Sequence, residues 1–557
     1  MRSSFGVTVG AITVVGALAV VDAACDGGDA AQPVYRLSAT RTDAVAVGPT
    51  PLRRVSDLEY LNTLHDLFPA LNLALPELPP DVPVAGFEND AEGQEPSDVL
   101  IARYEAIANL YAQAATADPS AVSAMVGCSD WSNPASSALC SGQFIAQTGR
   151  RIFRRPLSDS ETRRYGVQFQ SWETAVDFEG AVQLTLSAML QSPQFLYRAE
   201  TFPSNAVAGT VIAVEPYAMA SRLSYLLWES GPDEALLQAA SASALGTEAE
   251  IAAQARRMLA DDRAKRVLWD FPRQWLGLDR ILISENLARS PAVDPLWTAT
   301  TQASASKETQ LFIQNVLGSG GTLRDLLTSR RAWVDSEMAR VYGIQTPASD
   351  WSEVSLPESE RAGLLTRVSY LAGYSHAGAT SPPVRGNAIQ LRWLCELPVS
   401  PPPGADLSQP MASPDEGPQT NRMLFETRTK PPACQVCHVA LNGFGFGLES
   451  FNAAGHYQTT DNGLPIDASG AIYGTDVDGP FNGGVALSAA LSKSEVVHHC
   501  ATQELVRYAL GRAPVEAEEP TIDALATAFM TSGGDIRALL VAVATSPTFR
   551  TRLVEEN

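Results

Sequence analysis

Residues 429–455 read TKPPACQVCHVALNGFGFGLESFNAAG and contain Cys434-Gln-Val-Cys437-His438. This is the spacing C-x-x-C-H, by which a c-type haem is attached to a protein. The two thiols can each add to one vinyl group of the haem, and the adjacent imidazole then binds the iron from the proximal side. With 7 Cys and 6 His in 557 residues, only about 0.001 such motifs are expected by chance. The motif therefore predicts one covalent haem c with His438 as the proximal iron ligand.

Two other interpretations of the same cysteines remain open. Zinc also binds Cys and His in paired spacings. In that case Cys434 and Cys437 would be joined by two of His456, His498, His499 and Cys500. A redox-active dithiol of the thioredoxin kind is the other alternative. No strand–helix–strand pattern surrounds the two cysteines, so the sequence favours haem.

The second axial ligand of the iron is left open by the sequence. The downstream candidates are His456, His498, His499 and Met530, and Met423 is a weaker upstream candidate. A methionine would raise the reduction potential, a histidine would lower it, and an empty position would permit peroxide or oxygen chemistry. Arg385 and Arg392 are candidates for pairing with the haem propionates, or else for surface ion pairs.

Composition restricts the class of protein. The chain has a net charge of −22 and a pI near 4.7, which excludes the basic face that nucleic-acid binding needs. With 45% hydrophobic and 18% charged residues it is typical of a soluble globular protein. A length of 557 residues predicts two to four domains. No G-x-S-x-G, H-E-x-x-H or phosphate-binding loop supports a hydrolase or a nucleotide enzyme.

The N-terminus resembles an export signal. Arg2 precedes a short apolar run at 6–21, and two alanines precede Cys25. Residues 1–25 are therefore predicted to be a signal peptide, and Cys25 is a candidate for lipidation, although Asp22 departs from the usual lipoprotein pattern. Residues 26–50 are predicted to be a flexible tether. The expected location is the periplasm or the outer cell envelope, with membrane contact only through the lipid anchor.

Four cysteines remain besides Cys25 and the C-x-x-C-H pair. An even number in an oxidising compartment predicts two disulfides, for which three connectivities exist. Cys128–Cys140 is the local choice, because it closes a short polar loop. This choice leaves Cys395–Cys500, which would join segments on either side of the haem motif. Buried free thiols are the alternative for this second pair.

Helical periodicity dominates the chain and predicts a mainly α, multidomain protein. Capping boxes are predicted at Ser56/Glu59, Ser158/Glu161 and Ser492/Glu495, and a final helix is predicted at 524–545. A Gly/Asp-rich loop follows the haem motif at 459–484. The predicted divisions are N-terminal helical 51–142, helical 143–203, central helical 215–345, haem-bearing 359–480 and C-terminal helical 481–557.

Five groups of short motifs occur in a fixed order along the chain. They are RRV (53–55) with EYLN (59–62), RIFRRPL (151–157) with QSPQFLY (191–197), SRLSYLLW (221–228), RAGLL (361–365) with TSPPVRG (380–386) and GFGLESF (445–451), and YALGR (508–512). Together they resemble the planctomycete-type multidomain cytochrome c family, which is built from serial domains of unknown function. The resemblance implies export, covalent haem and an electron-transfer or oxidative role. Asn442-Gly443 stands where that family usually has Asp-Pro, and Asn452 where it usually has Asp.

Three functions are consistent with these observations. The first is an exported mono-haem c-type cytochrome that passes single electrons to a redox partner protein or a small acceptor. The second is a haem oxidase or peroxidase acting on an extracellular substrate, which would require a vacant distal site. The third is a polysaccharide-binding or cell-surface scaffold with structural haem or zinc. The low aromatic content, 7%, does not favour the third function.

Overall fold

A computed structural model describes residues 47–555 apart from 129, 132, 201–204, 284–293, 296, 299, 377 and 398–416, and it describes no side chains at 134 and 135. The predicted signal peptide, Cys25 and nearly all of the predicted tether lie outside the described residues. Within the described part of the chain, no helix has both the length and the apolar character needed to cross a membrane.

Seven helices form the N-terminal part of the described chain. They are α1 Asp57–Leu67, α2 Asp98–Ala115, α3 Pro119–Val126, α4 Pro134–Ile152, α5 Asp159–Ala175, α6 Phe178–Leu190 and α7 Pro193–Leu196. The first two predicted capping boxes are present. Ser56 and Ser158 accept hydrogen bonds from the backbone N–H groups of Glu59 and Glu161, whose carboxylates bond back to the capping residues. Because each box satisfies two backbone N–H groups, α1 and α5 begin where the sequence predicts.

Among the residues that the structure describes, eight helices form the central part. They are α8 Pro216–Trp228, α9 Glu234–Ser241, α10 Glu248–Leu259, α11 Lys265–Trp275, α12 Arg280–Ile283, α13 Thr301–Gly318, α14 Leu323–Thr328 and α15 Ser336–Tyr342. Pro216 occupies the first turn of α8, where a missing N–H costs no helical hydrogen bond. At the other end of α8, Trp228 is fully buried and its indole N–H donates to the carbonyl of Met258 at 2.9 Å. This bond joins α8 to α10 within the core.

Nine helices form the C-terminal part as far as the structure describes it. They are α16 Val368–Gly373, α17 Pro382–Trp393, α18 Asn421–Arg428, α19 Pro432–Phe446, α20 Gly483–Leu491, α21 Glu495–Leu510, α22 Glu519–Thr531, α23 Ile536–Thr545 and α24 Pro547–Arg550. The capping box predicted at Ser492/Glu495 is wrong. The side chain of Ser494 caps α21 instead, so Glu495 is the first residue of the helix.

The predicted final helix at 524–545 is also wrong, because it consists of two helices. Gly533 and Gly534 separate α22 from α23 and have φ values of 77° and 82°. Glycine adopts this left-handed conformation without the steric penalty of a side chain, and it commonly ends a helix for that reason. Gly511 ends α21 in the same way, as the sequence predicts.

Strands are short and occur as antiparallel pairs in the described chain. β1 Val211–Ala213 pairs with β8 Thr551–Leu553, β2 Arg331–Val334 with β3 Ser352–Ser355, β4 Thr460–Asp461 with β5 Leu464–Pro465, and β6 Ser469–Ile472 with β7 Gly479–Asn482. β4 to β7 lie in the predicted Gly/Asp-rich loop, so that loop is two hairpins. In the second hairpin Gly470 lies opposite Phe481.

Three apolar clusters hold the helices together. One is formed mainly by α1 to α7, includes Tyr60 and Phe169, and also takes in Tyr225 of α8. A second is continuous from the central helices to the C-terminus and includes Trp275, Trp393 and Phe549. A third, smaller cluster includes α12 and α15. The prediction of a mainly helical, multidomain protein is confirmed.

Both predicted disulfides are present. Cys128 is joined to Cys140, with 5.6 Å between their Cα atoms, and Cys395 is joined to Cys500, with 5.4 Å. The second bond connects the segment after α17 to α21 across 105 residues of sequence. The alternative of buried free thiols at Cys395 and Cys500 is therefore wrong. Cys434 and Cys437 are the free cysteines of the described chain.

Two glycines allow α17 to lie unusually close to α19. A Cβ atom at Gly386 would be 1.8 Å from the carbonyl oxygen of Leu441, and one at Gly445 would be 2.0 Å from that of Pro382. Neither distance is possible for real atoms, so any larger residue would force the helices apart. The position of α19, which carries the C-x-x-C-H motif, is thus fixed by backbone-to-backbone packing on α17.

Candidate functional site

The three residues of the motif share one face of α19. Successive residues of an α-helix are rotated by about 100°, so Cys434, Cys437 and His438 fall within an arc of roughly 100°. All three side chains are half-buried, and the two thiols are not joined to each other. A planar group covering this face could contact both thiols and the imidazole together.

A cleft of about 460 Å³ opens beside His438. Its walls are formed by α18, α19 and the hairpin of β6. The lining residues are Arg422, Glu426, Thr429, Lys430, Gln435, His438, Val439, Asn442, Gly443, Phe446, Ser469, Gly470, Ala471 and Tyr473. This volume is within the range of 300–1,000 Å³ that is usual for small-molecule and cofactor sites.

Large apolar side chains around the motif are exposed. Val436 is 85% exposed and Val439 is 52% exposed, and Met423 and Tyr473 are also exposed. Of these side chains, Val439 and Tyr473 line the cleft, and Val436 and Met423 lie outside its lining. Exposed apolar side chains at a cleft are typical of a surface that another molecule covers. Haem is a large, mostly apolar plate, so this surface fits it.

A chain of hydrogen bonds sets the orientation of the His438 ring. The hydroxyl of Thr429 donates to the carbonyl of Phe425 at 2.7 Å, so it accepts from Nδ2 of Asn442 at 3.0 Å. The amide oxygen Oδ1 of Asn442 therefore faces Nδ1 of His438, at 3.2 Å. Nδ1 then carries the proton and Nε2 keeps its lone pair for a metal, which is the arrangement that metal-binding histidines use.

Charged groups lie at the rim of the cleft. Arg422 lies 4.4 Å above the ring of Phe446, and its Nε donates to Glu426 at 2.8 Å. Lys430 also lines the cleft. These two cations are placed to meet carboxylates of a bound cofactor, because arginine and lysine both bind such groups.

The two arginines chosen from sequence for the propionates lie elsewhere. Arg385 is completely buried, and its guanidinium donates to the carbonyls of Leu448, Phe451 and Asn452 at 2.7 to 2.9 Å. Arg392 donates to the carbonyl of Trp275 at 3.1 Å. Arg385 thus holds the turn after α19 in place, and neither residue is a surface ion pair.

The structure does not bring the downstream distal candidates into the cleft. His456 is buried with Nε2 3.8 Å from Asp294, and Nδ1 of His498 is 2.7 Å from the carbonyl of Ser494. Met530 lies on α22, outside the cleft lining. Met423 is on α18 beside Arg422, close to the cleft but not among its lining residues.

His499 belongs to a different group of side chains. Its Nε2 lies 3.0 Å from Oδ1 of Asp523, and Glu519 completes a set whose ligand-type atoms are all within 4.8 Å of one another. Burial raises the pKa of Glu519; His499 opposes this rise, and the charge of Asp523 adds to it. This group contains neither thiol of the C-x-x-C-H motif.

The zinc interpretation of Cys434 and Cys437 meets two obstacles. Cys500, one of its proposed ligands, is consumed by the disulfide to Cys395. Among the described residues, no group of three or more His, Cys, Asp and Glu side chains with metal-binding spacing includes Cys434 or Cys437. A four-ligand zinc site needs such a group.

Family models match five consecutive parts of the chain. They are DUF1587 at 53–117, DUF1595 at 140–200, DUF1592 at 214–344, PSCyt3 (DUF1588) at 361–461 and DUF1585 at 478–549, each described as a protein of unknown function. The chain belongs to the planctomycete-type serial-domain family. No curated protein and no solved structure matches it. These domains are of a cytochrome c-associated type, and the motif and the cleft both lie in the fourth, with part of the cleft wall beyond its end.

Asn442 and Thr429 were not identified as site residues from the sequence of this serial-domain protein. A signal was available, because Asn442 follows His438 by four residues, and such residues are neighbours on a helix. Ser469, Gly470 and Ala471 also line the cleft, but no local sequence pattern predicted this. Those residues approach α19 only because Gly443 and Gly470 allow the hairpin to pack closely against the helix.

Proposed function

We propose that this serial-domain protein is an exported mono-haem c-type cytochrome that transfers single electrons at the cell envelope. The observation that carries the proposal is the arrangement on α19: two free thiols and an imidazole on one face, beside an apolar-rimmed cleft. Haem, when bound, supplies an iron that changes oxidation state by one electron. Two disulfides elsewhere in the chain support an oxidising compartment.

Each site residue has a separate part in this proposal. Cys434 and Cys437 hold the haem through thioether bonds, and Nε2 of His438 binds the iron. Asn442 keeps the imidazole in the tautomer that leaves Nε2 unprotonated. Val439, which is exposed and lines the cleft beside His438, would pack against a bound haem and limit the access of water. The overall charge of −22 favours a basic redox partner.

The test is to express the exported protein together with c-type maturation machinery and to record its absorption spectrum in alkaline pyridine. The expected result is one covalently bound haem c per chain, which is lost in Cys434→Ala/Cys437→Ala. A matched control is Cys128→Ala/Cys140→Ala, which also removes two cysteines and should keep the haem. Stoichiometric zinc in place of haem would overturn the proposal and indicate a structural metal site.

A haem oxidase or peroxidase is the second candidate, because the described lining of the cleft contains no methionine and no histidine besides His438. An exchangeable sixth position would permit peroxide or oxygen chemistry. The native spectrum separates the two functions: a high-spin iron with peroxide turnover supports the oxidase, and a low-spin iron that donates electrons to soluble acceptors supports the carrier. Retention on an insoluble polysaccharide without either activity would support a scaffold.

A further inference from the structure

Four arginines meet where the N-terminal, central and C-terminal helices come together. Arg53 precedes α1, Arg198 follows α7, Arg222 lies in α8 and Arg512 follows α21. Each belongs to a different one of four matched domains. They line a cavity of about 30 Å³, which we call the arginine junction. That volume is room for about two water molecules, so the junction is not filled by side chains.

Two of the four arginines have strong carboxylate partners. Arg222 donates from Nε and Nη2 to both oxygens of Glu200, at 2.6 and 2.8 Å. Arg512 donates from Nη1 and Nη2 to both oxygens of Glu518, at 2.8 and 2.7 Å. These bidentate pairs neutralise their charges within the protein.

The other two arginines are poorly compensated. Arg198 is 3.4 Å from Glu59, a carboxylate that also accepts the backbone N–H of Ser56 at 2.9 Å. Arg53 is 93% buried, and its guanidinium donates from Nη1 to the carbonyl of Ala509 at 3.2 Å. Its Nε is buried without a hydrogen-bond partner. No described carboxylate lies within 4 Å of Arg53, and a buried charge without a counterion is strongly disfavoured.

The electrostatics of Arg53 agree with this geometry. Burial above all, and then the neighbouring charge of Arg198, lower its pKa to about 9, and the charges of Glu59 and Glu200 oppose this lowering only in part. A cation in this condition gains most from an anion placed beside it. Gly511 contributes space for the guanidinium, because a Cβ atom there would be 2.4 Å from Cζ of Arg53.

We propose that the arginine junction binds one oxyanion group, a carboxylate, sulfate or phosphate, with Arg53 and Arg198 as its principal partners. Guanidinium groups present paired N–H donors that match two oxygens of such a group. A second cavity of about 140 Å³, lined by Arg154 and Arg155, shares Arg198, Glu200 and Arg222 with the lining of the junction. It gives room for a larger molecule that carries the oxyanion.

Isothermal titration calorimetry of the full exported chain tests the proposal. The protein is dialysed into low-salt buffer free of oxyanions and titrated separately with inorganic phosphate, sulfate and acetate, with sodium chloride of equal ionic strength as reference. We expect one equivalent of at least one oxyanion to bind. Preference for acetate identifies a carboxylate ligand, and preference for phosphate or sulfate identifies a tetrahedral one. No heat above dilution at 10 mM of any of the three would overturn the proposal.

Variants locate the binding. Arg53→Met should lower the affinity at least tenfold, and Arg53→Lys, which keeps the charge but not the paired donors, should lower it less. Arg330→Met is the matched control, because Arg330 is exposed and pairs with the exposed Glu358. Affinity that survives Arg53→Met would place the ion elsewhere and contradict the proposal. If Arg53→Met does not fold, anomalous diffraction from wild-type crystals grown with selenate decides: a peak beside Arg53 supports the junction, and peaks only elsewhere overturn it.

Discussion

The cleft beside α19 and the centre of the helical body both gather polar groups, but in opposite settings. At the cleft, His438 lines the wall and Cys434 and Cys437 lie next to it on α19; all three side chains are half-exposed and fall within five consecutive residues. In the centre, Glu229, Asp270 and Tyr508 are buried, and the hydroxyl of Tyr508 lies 3.0 Å from Glu229 and 3.1 Å from Asp270. The central group joins residues 279 positions apart. The contrast indicates that the first group serves a ligand and the second serves the fold.

The largest effect should come from removing the two thiols beside the cleft. Cys434→Ala/Cys437→Ala should abolish covalent haem. The free energy of unfolding of the haem-free protein should change by about 0.5 kcal/mol or less, because both side chains are partly exposed and form no disulfide. Urea unfolding of haem-free wild type and variant measures this. A loss of several kcal/mol would show that the cysteines are structural, and the contrast between the two regions would fail.

Tyr508→Phe should have the next largest effect, now on stability. The substitution removes the hydroxyl that lies between the carboxyl groups of Glu229 and Asp270. Both buried groups then lose a hydrogen-bond partner, which should lower the free energy of unfolding by about 1–3 kcal/mol. Urea unfolding followed by circular dichroism provides the measurement. Tyr473→Phe is the control, because Tyr473 is exposed at the cleft. Equal costs for the two variants would contradict a structural role specific to the central group.

Glu229→Gln should change how stability depends on pH. Burial, and then the charge of Asp270, raise the pKa of Glu229 well above its ordinary value of 4.5. The folded protein therefore holds a proton that the unfolded chain has released, so this contribution to stability is complete below pH 4.5 and is lost as pH rises through the raised pKa.

The introduced glutamine cannot ionise, so Glu229→Gln should lose less free energy of unfolding than wild type when the pH rises from 5 to 8. The difference between the two losses should be about 1 kcal/mol or more, which corresponds to roughly one pKa unit. Glu358→Gln, at an exposed position, supplies the control. Chemical unfolding at both pH values gives the comparison. Parallel pH profiles of wild type and Glu229→Gln would show that Glu229 does not carry the buried proton.

The sequence predicted the local parts of this molecule and not the distant ones. The boxes at Ser56 and Ser158 involve residues three apart, and the C-x-x-C-H motif is contiguous, so both could be recognised from the chain. The box at Ser492 matched the same pattern, but Ser494 caps the helix instead, because Asp476 from the preceding hairpin bonds to Ser494 and to the backbone of Glu495. A local sequence pattern contains no information about a residue such as Asp476, which contacts the helix start from a distant segment.

The distal candidates show the same limit within the site. His456 and His498 were chosen for residue type and nearness in sequence, yet their rings lie among other partners, Asp294 and the carbonyl of Ser494. The close crossing of α17 and α19 could not be predicted from the sequence either. Gly386 is needed only because the backbone of Leu441 lies against it in the folded protein. The chemical groups on α19 could be predicted from the sequence. Which residues lie opposite them depends on long-range packing, which the sequence did not predict.

The smallest expected effect is at Asn442. Its side chain is buried, like those of the central group, but it contacts His438, the candidate iron ligand at the cleft. Asn442→Ala removes the acceptor for Nδ1 of His438 and should leave the free energy of unfolding within about 1 kcal/mol of wild type. In the haem-loaded protein the imidazole becomes a weaker donor, so the reduction potential should rise. An effect of 10–100-fold in ligand strength corresponds to about 60–120 mV.

Asn442→Asp separates this effect from mere loss of packing. A carboxylate accepts the proton of Nδ1 more strongly than an amide, so the potential should fall below that of wild type although the side chain has the same shape. Gln435→Ala, which also changes the cleft lining but does not contact the ring, should leave the potential unchanged. Spectroscopic redox titration of the four proteins tests the order. Shifts of the same sign in the Ala and Asp variants would mean that Asn442 only fills space, and the tautomer of His438 would then need another explanation.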